Sequence, residues 1–407
     1  MARSRPMGRV GLALTAVLAV GIGAQVARAQ SLAPATREIT VPEFADANSI
    51  WGATGRDRYG RIWVGVSAKM PGASAHLMTF EPATQSWRDR GAVVDRLAQA
   101  GLLRPGEGQV KIHTKIVPAA DGGLYFASMD EDGEAVDGSA LPKWGSHLWR
   151  VDPDTGEWRH LLAVPEGLVA AGGAGRFVYA LGYWGHVLYQ YDTATGLSRR
   201  LEVGAVGGHA SRNVIGAADG HAFVPRLRRR EDGTLAAALV EYDSTLTELA
   251  ATPLAFYAVS DSPEADHGIV GLAVLPDGRM VFVTHAGQLY MIEPRTGQPA
   301  SVSAIGAFHP AGDAYAPSLF VLGGGRNVAG VARRGGRYDW VVFDLAARTS
   351  RAWPLDTKGL EQVLLYGSIT RDAAGRCYLG GWAARPQGGH RPLLLQVHCG
   401  SGARLPD

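Results

Sequence analysis

Short apolar runs rich in aromatic and β-branched residues recur along the chain, and tight turns containing glycine separate them. After each turn a second run begins, as in Ile62-Trp63-Val64 and Leu124-Tyr125-Phe126. Glycine tolerates a positive φ, so a turn of this kind between two such runs predicts a β-hairpin. The seven turns are Tyr59-Gly60, Asp121-Gly122, Ala174-Gly175, Asp219-Gly220, Asp277-Gly278, Gly324-Gly325 and Ala374-Gly375.

A second hairpin follows in each repeat. Its clearest copy is residues 147–156, in which the strand His-Leu-Trp-Arg-Val runs into the turn Asp-Pro-Asp-Thr-Gly. An acidic side chain can cap such a turn, proline fixes φ, and glycine closes it. Residues 76–85, 187–196 and 288–297 repeat this shape, and 243–245 and 344–349 are looser versions. Each repeat is therefore predicted to form four antiparallel strands, A to D, over about 45 to 60 residues.

Self-similarity at this period predicts an all-β, seven-bladed β-propeller, because stacked four-stranded blades bury the faces that one sheet would expose. An eight-bladed ring would need a further unit within residues 87–110, where Val93 to Leu102 instead has a helical pattern. The last repeat lacks a fourth strand. The segment Arg37–Val41 has no hairpin partner, so we expect it to supply strand D of blade 7 and close the ring.

The repeat combines Gly-x-Leu/Ile-Trp/Tyr on strand B with Leu-x-x-Val/Tyr-Asp-Pro-x-Thr-Gly on the C–D hairpin. This combination resembles the secreted propellers related to virginiamycin B (streptogramin) lyase and the senescence-marker/gluconolactonase superfamily. Sensor propellers of two-component regulators share the repeat. The resemblance covers nearly all of the chain after residue 29 and implies the fold. Members of this group include lyases, lactonases and non-catalytic sensors, and no catalytic residue is carried over from them.

The first residues are typical of a secretory signal peptide. Arg3, Arg5 and Arg9 precede an uncharged, mostly apolar stretch, Val10 to Ala24, and Ala27-Arg28-Ala29 fits a cleavage site. The alternative is a membrane anchor, although the stretch is shorter than the roughly 20 apolar residues that a span requires. We therefore expect a signal peptide at 1–29, one propeller domain at 30–407, no membrane span after cleavage, and a periplasmic or secreted location.

The composition narrows the classes of partner. The 407 residues are 46% hydrophobic and 19% charged, with 54 glycines, which excludes intrinsic disorder and a helical bundle. Without the four signal-peptide arginines, 36 basic and 38 acidic residues remain, so no net charge draws the protein to nucleic acid. Residues 323–326 lack the strand–helix context of a phosphate loop, and we expect no nucleotide cofactor. We expect a monomer that binds a small molecule or saccharide.

The chain contains two cysteines, Cys377 and Cys399. In an exported protein two cysteines tend to be oxidised, and these lie on the neighbouring strands B and C of blade 7. We predict a disulfide between them. The alternative is two separate buried thiols, if the strand register holds them too far apart.

Chemistry-bearing side chains lie at the start of strand A in most repeats. Counting back from the A–B turn places one group eight residues away and a second group ten residues away. These offsets differ by two, so the side chains share one strand face and are expected to ring one mouth of the central channel. The first group is Trp51, His113, Glu166 and Tyr366, and the second is His209 and His267. His113, His209, His267 and Glu166 would suit one divalent metal ion, and the alternative is a polar mouth without metal.

Basic and aromatic residues accompany these positions and complete a candidate pocket. They are Lys115, Arg212, Arg226, Trp184 and Trp382. One hypothesis is a lyase or lactonase-type hydrolase acting on an acidic saccharide or cyclic ester. In it His113 and His209 serve as acid or base, Arg212 or Arg226 holds a carboxylate, and Lys115, Trp51, Trp184, Trp382 and Tyr366 bind the ligand. The alternative is a non-catalytic binding, sensor or scaffold propeller. Converging histidines would favour the enzyme, and a plugged channel mouth would favour the binding protein.

Overall fold

A computed structural model describes residues 33–399, apart from 136, 207–208, 261–267, 358 and 361. The predicted signal peptide lies outside the described residues. No helix in the described part of the chain is long and apolar enough to cross a membrane.

The described chain forms seven antiparallel sheets, which are the blades of a propeller, as the repeats predict. In every blade the first strand is innermost and pairs only with strand B, and strand C lies between strands B and D. Blade 1 contains β2 (Ala47–Ser49), β3 (Thr54–Arg56), β4 (Ile62–Ala68), β5 (His76–Glu81) and β6 (Ser86–Ala92); blade 2 contains β7 (Lys111–Ile112), β8 (Val117–Pro118), β9 (Leu124–Met129), β10 (Ser146–Val151) and β11 (Trp158–Val164); blade 3 contains β12 (Gly167–Ala174), β13 (Phe177–Tyr183), β14 (Val187–Asp192) and β15 (Ser198–Glu202).

The remaining blades repeat this order. Blade 4 contains β16 (Ile215–Gly216), β17 (Ala222–Arg229), β18 (Leu235–Tyr242) and β19 (Glu248–Pro253); blade 5 contains β20 (Ile269–Val274), β21 (Met280–Thr284), β22 (Gln288–Arg295) and β23 (Gln298–Ala307); blade 6 contains β24 (Phe320–Leu322), β25 (Asn327–Arg334), β26 (Arg337–Asp344) and β27 (Thr349–Pro354), with a 3₁₀ turn at Gly323–Gly325; blade 7 contains β28 (Val363–Leu365), β29 (Thr370–Arg371), β30 (Arg376–Ala384), β31 (His390–His398) and β1 (Thr36–Ile39). The short helix α1 (Val93–Gln99) occupies the region that an eighth blade would need.

The N-terminal strand closes the ring, as the missing fourth strand of blade 7 predicts. Strand β1 pairs antiparallel with β31, with Thr36 opposite Val397 and Ile39 opposite Leu394. Ile39 is buried, and Glu38 forms an ion pair with Arg391. The two ends of the propeller are thereby joined by a ladder of backbone hydrogen bonds, which removes two exposed sheet edges.

The hydrophobic core lies in layers between neighbouring blades. Strands B are buried along their whole length in blades 1, 2, 3 and 5, since both of their faces meet an adjacent blade. One layer packs Ile62 and Phe80 of blade 1 against Tyr378 and Leu394 of blade 7. The continuous aromatic and β-branched runs seen in the sequence reflect this two-sided burial.

Cys377 and Cys399 form a disulfide, with their Cα atoms 6.1 Å apart. The bond links the start of strand β30 to the residue after β31 and spans a sequence separation of 22 residues. A loop of this length stabilises the folded chain by roughly 3 kcal/mol in the chain-entropy model. The prediction of a disulfide is confirmed.

Candidate functional site

Contacts between blades that are not neighbours identify the centre of the ring. Arg212 precedes blade 4, and its Nη1 donates a hydrogen bond to Nε2 of His113 in blade 2 over 3.2 Å. The guanidinium carbon of Arg212 also lies 5.8 Å from the ring centre of Tyr366 in blade 7. Because blades 4 and 7 do not touch around the ring, this contact runs across the central channel. Arg212 therefore bridges the channel at this level.

Aromatic rings surround this bridge. The ring of Trp51 lies 4.3 Å from that of Tyr366 and is stacked on the imidazole of His113 at 5.7 Å, measured between ring centres. Strand A is interrupted in blades 1, 2 and 7, and the breaks carry these three residues. There the backbone leaves the ladder and the side chains enter the channel. Trp51, His113, Arg212 and Tyr366 are called the channel-mouth cluster below.

His113 uses both of its ring nitrogens. Arginine can only donate, so Nε2 of His113 accepts from Arg212, and Nδ1 carries the proton and donates to the carbonyl oxygen of Val169 over 3.0 Å. Burial and the positive charges of Arg212 and Lys111 hold the pKa of His113 well below its usual range. His113 is therefore a neutral, hydrogen-bonded support for Arg212 at neutral pH.

Two lysines add positive charge beside the cluster. Lys111 lies 4.1 Å above the ring of Trp51 and pairs with Glu131, from the loop between strands B and C of blade 2. Lys115 is buried and donates to Oδ1 of Asn213 in blade 4, and burial lowers its pKa to about 8. Of the carboxylates in the described residues, Glu131 is the one paired with Lys111, Lys115 or Arg212. Glu134 also acts on the charge of Lys111, so the cations without a nearby carboxylate among the described residues are Lys115 and Arg212.

The register of strand A explains which predicted residues meet. Trp51, His113 and Tyr366 each lie five residues before the last paired residue of strand A. These last paired residues are Arg56, Pro118 and Arg371. In each of these three blades, five residues lie between the two partners of the last pair of the A–B hairpin. Counting back from the turn therefore reaches the same structural position in all three.

Blade 3 has a tighter A–B turn, with only two residues between the paired Ala174 and Phe177. Its equivalent of His113 is therefore Val169, and Glu166 lies three residues earlier. The Glu166 carboxylate accepts hydrogen bonds from the hydroxyl of Tyr189 at 2.5 Å and from Arg200 at 3.1 Å, towards the outer strands. The predicted placement of Glu166 at the mouth is wrong, because the count assumed turns of equal length.

The predicted histidine set is brought together only in part. His209 is buried beside the B–C loop of blade 3, near His186, which accepts from the backbone N–H of Ser211 and donates to the carbonyl of Pro225. Burial, with His209 as a lesser cause, lowers the pKa of His186 to about 4. His267 lies outside the described residues. No three His, Cys, Asp or Glu side chains within the described ranges could hold a metal ion, and the divalent metal stays a prediction.

The other predicted side chains divide between the mouth and the blade surfaces. Trp382 donates from Nε1 to the hydroxyl of Tyr366 over 3.3 Å and stacks on His390 at 3.8 Å, so it adjoins the cluster. Trp184 packs with Met129 and Val169 on the same face. Arg226 instead forms a two-pronged ion pair with Glu248 of strand D, at 2.7 and 2.8 Å. These two hydrogen bonds do not involve the channel-mouth cluster, and the role of Arg226 in the site stays a prediction.

Sequence reasoning missed Lys111 and the role of Asn213. Lys111 precedes His113 by two residues, so the period of a strand places it on the same face, and this signal could have found it. Asn213 gave no such signal. Its contact with Lys115 joins residues 98 positions apart and depends on the ring being closed.

No protein-family model matches the chain, and no curated protein matches it. Among solved structures, the Cps50 (Swd1) β-propeller domain of Myceliophteria thermophila is similar with a TM-score of 0.51 and 11% identity, over 89% of this chain and 99% of that one. U3-55K has a TM-score of 0.49 at 11% identity, covering 89% and 98% of the two chains. The WD40 propeller domain of Doa1 has a TM-score of 0.48 at 10% identity, covering 89% and 96%. At 11% identity the likeness to the Cps50 domain shows the propeller fold alone, and the resemblance to streptogramin lyases stays a prediction.

Proposed function

We propose that the protein is a non-catalytic binding propeller that captures an anionic group of its ligand at the channel-mouth cluster. The observation that carries this proposal is Arg212, which bridges the channel between His113 and Tyr366 and has no carboxylate partner among the described residues. A half-buried guanidinium that lacks a carboxylate is suited to bind a carboxylate or phosphate through charge-assisted hydrogen bonds.

The state of His113 favours binding over turnover. A general base needs a lone pair that can reach the substrate, and the Nε2 lone pair of His113 is occupied by Arg212. The same hydrogen bond orients the guanidinium, and the ring of Tyr366, which packs against that of Trp51, limits its movement. The arrangement holds a cation in place before the ligand arrives, which lowers the entropy lost on binding.

The charge balance at the mouth also supports an anionic ligand. Lys111, Lys115 and Arg212 bring three cations together. Glu131 and Glu134 act on the charge of Lys111, and no carboxylate of the described residues is paired with Lys115 or Arg212. Gathering like charges in a partly buried place is costly, and an incoming anion relieves that cost.

We further propose that the protein works in the periplasm or outside the cell. The signal-peptide pattern supports this location, and so does the Cys377–Cys399 disulfide, since disulfides persist mainly in oxidising compartments.

The experiment measures thermal stabilisation by citrate, a small tricarboxylate, at constant ionic strength adjusted with NaCl. We expect citrate to raise the melting temperature of the wild type and not of Arg212→Gln. The matched control is Arg226→Gln, which removes an arginine outside the cluster and should keep the citrate response. An equal response in the wild type and Arg212→Gln would overturn the proposal.

A second assay tests the absence of catalysis. Purified protein is incubated with p-nitrophenyl acetate and with glucono-δ-lactone, which represent simple and cyclic esters. We expect hydrolysis at the rate of the buffer alone. Hydrolysis by the wild type that disappears in His113→Asn would show that the cluster catalyses a reaction and would contradict the proposal.

A further inference from the structure

A cavity apart from the channel-mouth cluster lies between blades 6 and 7, on the face that carries the B–C loops. Its volume is about 680 Å³, within the range of small-molecule pockets. One part of the lining is apolar, and Trp382 forms the wall nearest the channel mouth. The apolar residues of the lining are Pro354, Leu355, Leu360, Val363, Leu364 and Trp382.

The opposite rim is strongly basic. Arg333, Arg334 and Arg337 line the cavity and are exposed, and no carboxylate of the described residues lies within ion-pair distance of them. Asp339 also lines the cavity, and its carboxylate accepts a hydrogen bond from Nε2 of His309 over 3.1 Å. Among the described lining residues the rim therefore carries three guanidinium groups and one carboxylate, that of Asp339, so positive charge is in excess.

The hairpin that carries this rim places like charges directly opposite each other. Arg334 pairs with Arg337 across strands β25 and β26, and the two-residue turn Gly335-Gly336 joins them. Both glycines have positive φ, at 55° and 81°, which is the geometry of a tight hairpin turn. Like charges in such a cross-strand pair destabilise a sheet. The tight turn therefore fixes two guanidinium groups at the mouth of an apolar cavity despite their repulsion.

We propose that this cavity binds an organic anion whose apolar body packs against Leu355, Val363 and Trp382 and whose acidic group pairs with the rim arginines. Guanidinium groups bind carboxylate, sulfonate and phosphate oxygens in a two-pronged manner, and the apolar wall contributes by burying hydrocarbon or aromatic surface. This inference is independent of the channel-mouth proposal, since it involves neither Arg212 nor His113.

The test uses 8-anilinonaphthalene-1-sulfonate, which combines an aromatic body with one anionic group, and follows its fluorescence on titration. We expect saturable binding by the wild type at 20 mM NaCl, with affinity that falls as the salt concentration rises. The double variant Arg334→Gln/Arg337→Gln should bind at least tenfold more weakly. The matched control is Arg228→Gln/Arg229→Gln, which removes two exposed arginines from the B–C hairpin of blade 4, outside the lining of this cavity.

Three results would overturn the proposal: an affinity within twofold of the wild type in Arg334→Gln/Arg337→Gln, an equal loss in the control variant, or equally tight binding of the uncharged N-phenyl-1-naphthylamine by the wild type. Circular dichroism and the melting temperature establish that each variant is folded. Loss of citrate stabilisation in Arg212→Gln concerns the channel mouth only, so the two proposals fail separately.

Discussion

At the scale of single residues, the channel mouth contains a charged group in an environment that disfavours charge. Lys115 is buried, and desolvation lowers the pKa of its ammonium from 10.5 to about 8. Its hydrogen bond to Asn213 satisfies one of the three N–H donors. At pH 7 the fold therefore holds a positive charge at a cost in stability, which is expected of a side chain kept for binding.

Replacing Lys115 by methionine should raise the melting temperature at pH 7. The folded-state pKa lies below the unfolded value, so the charged form opposes folding below about pH 8, and this cost disappears as the pH rises from about 8 to 10.5. The difference between Lys115→Met and the wild type should therefore be largest at pH 7 and small at pH 10, as measured by calorimetry.

The matched control is Lys69→Met, at an exposed lysine, which should shift the melting temperature little at either pH. A Lys115→Met variant that is less stable than the wild type at pH 7, or a difference that does not change with pH, would contradict the prediction. It would indicate that the hydrogen bond to Asn213 outweighs the burial of charge.

At the scale of secondary-structure elements, the A–B turns are tied to strand B by one recurring contact. The carboxylate of Asp57 accepts from Nε1 of Trp63 at 2.8 Å, and Asp372 accepts from the hydroxyl of Tyr378 at 2.9 Å. Asp121, two positions later in its turn, accepts a similar hydrogen bond from the hydroxyl of Tyr125. The aspartate of the turn and the aromatic residue of the strand thus serve blade architecture, which explains why the repeat indicates the fold and not the function.

A histidine pair, of which His147 is buried and His160 half-buried, joins the outer strands of blade 2. Nε2 of His147 donates to Glu107 over 3.0 Å, so Nδ1 of His147 accepts from Nε2 of His160 over 2.9 Å. Arg104 also binds Glu107 and fixes the carboxylate. Burial, and then the proximity of His147, lowers the pKa of His160 to about 4. The pair is therefore formed by neutral rings.

The stability that this pair contributes should be lost in acid. Because the folded pKa of His160 lies below the unfolded value of 6.5, the contribution is complete above pH 6.5 and declines as the pH falls towards 4. His160→Gln retains an N–H donor without a titrating ring, so its melting temperature should fall less than that of the wild type between pH 7 and pH 4.5.

His398 is exposed, and His398→Gln serves as the control that should follow the wild-type profile. Parallel profiles for the wild type and His160→Gln would show that acid does not act through the pair. Differential scanning fluorimetry in a constant-ionic-strength buffer series is sufficient for the comparison.

At the scale of the whole molecule, the propeller is a ring closed by the chain's own ends. Strand β1 completes blade 7 from the N-terminal side, and Ile39 enters the layer between blades 7 and 1. Without this strand β31 would present an open edge, and the last blade would separate more easily from the first.

Removing β1 should therefore destabilise the entire domain. A mature chain beginning at Phe44 should melt at a clearly lower temperature than one beginning at Pro34, which retains the strand, because the shorter chain loses the β1–β31 ladder and the burial of Ile39. The chain beginning at Pro34 is the control for loss of the terminal segment itself. Equal melting temperatures for the two chains would show that the closure contributes nothing to stability.

The sequence by itself determined the architecture. Seven hairpin turns, two-sided apolar strands and an unfinished last repeat predict seven blades closed by the N-terminal strand, and the cysteine positions on neighbouring strands predict the disulfide. These features are local or recur along the chain, so the sequence of a single repeat is enough to predict most of the fold of one blade. The sequence also predicts that Trp51, His113 and Tyr366 occupy equivalent positions, because the A–B turns of their three blades have the same length.

Only the tertiary structure decided which side chains meet across the ring. The bond from Arg212 to His113 joins residues 99 positions apart, and the short turn of blade 3 moves Val169, and not Glu166, to the mouth. The cavity beside Arg334 and Arg337 forms only where blades 6 and 7 meet, since Pro354 and Leu355 of one blade and Val363 and Trp382 of the other line it. Such contacts depend on turn lengths, strand register and ring closure together. A local sequence pattern therefore does not show which residues of different blades meet.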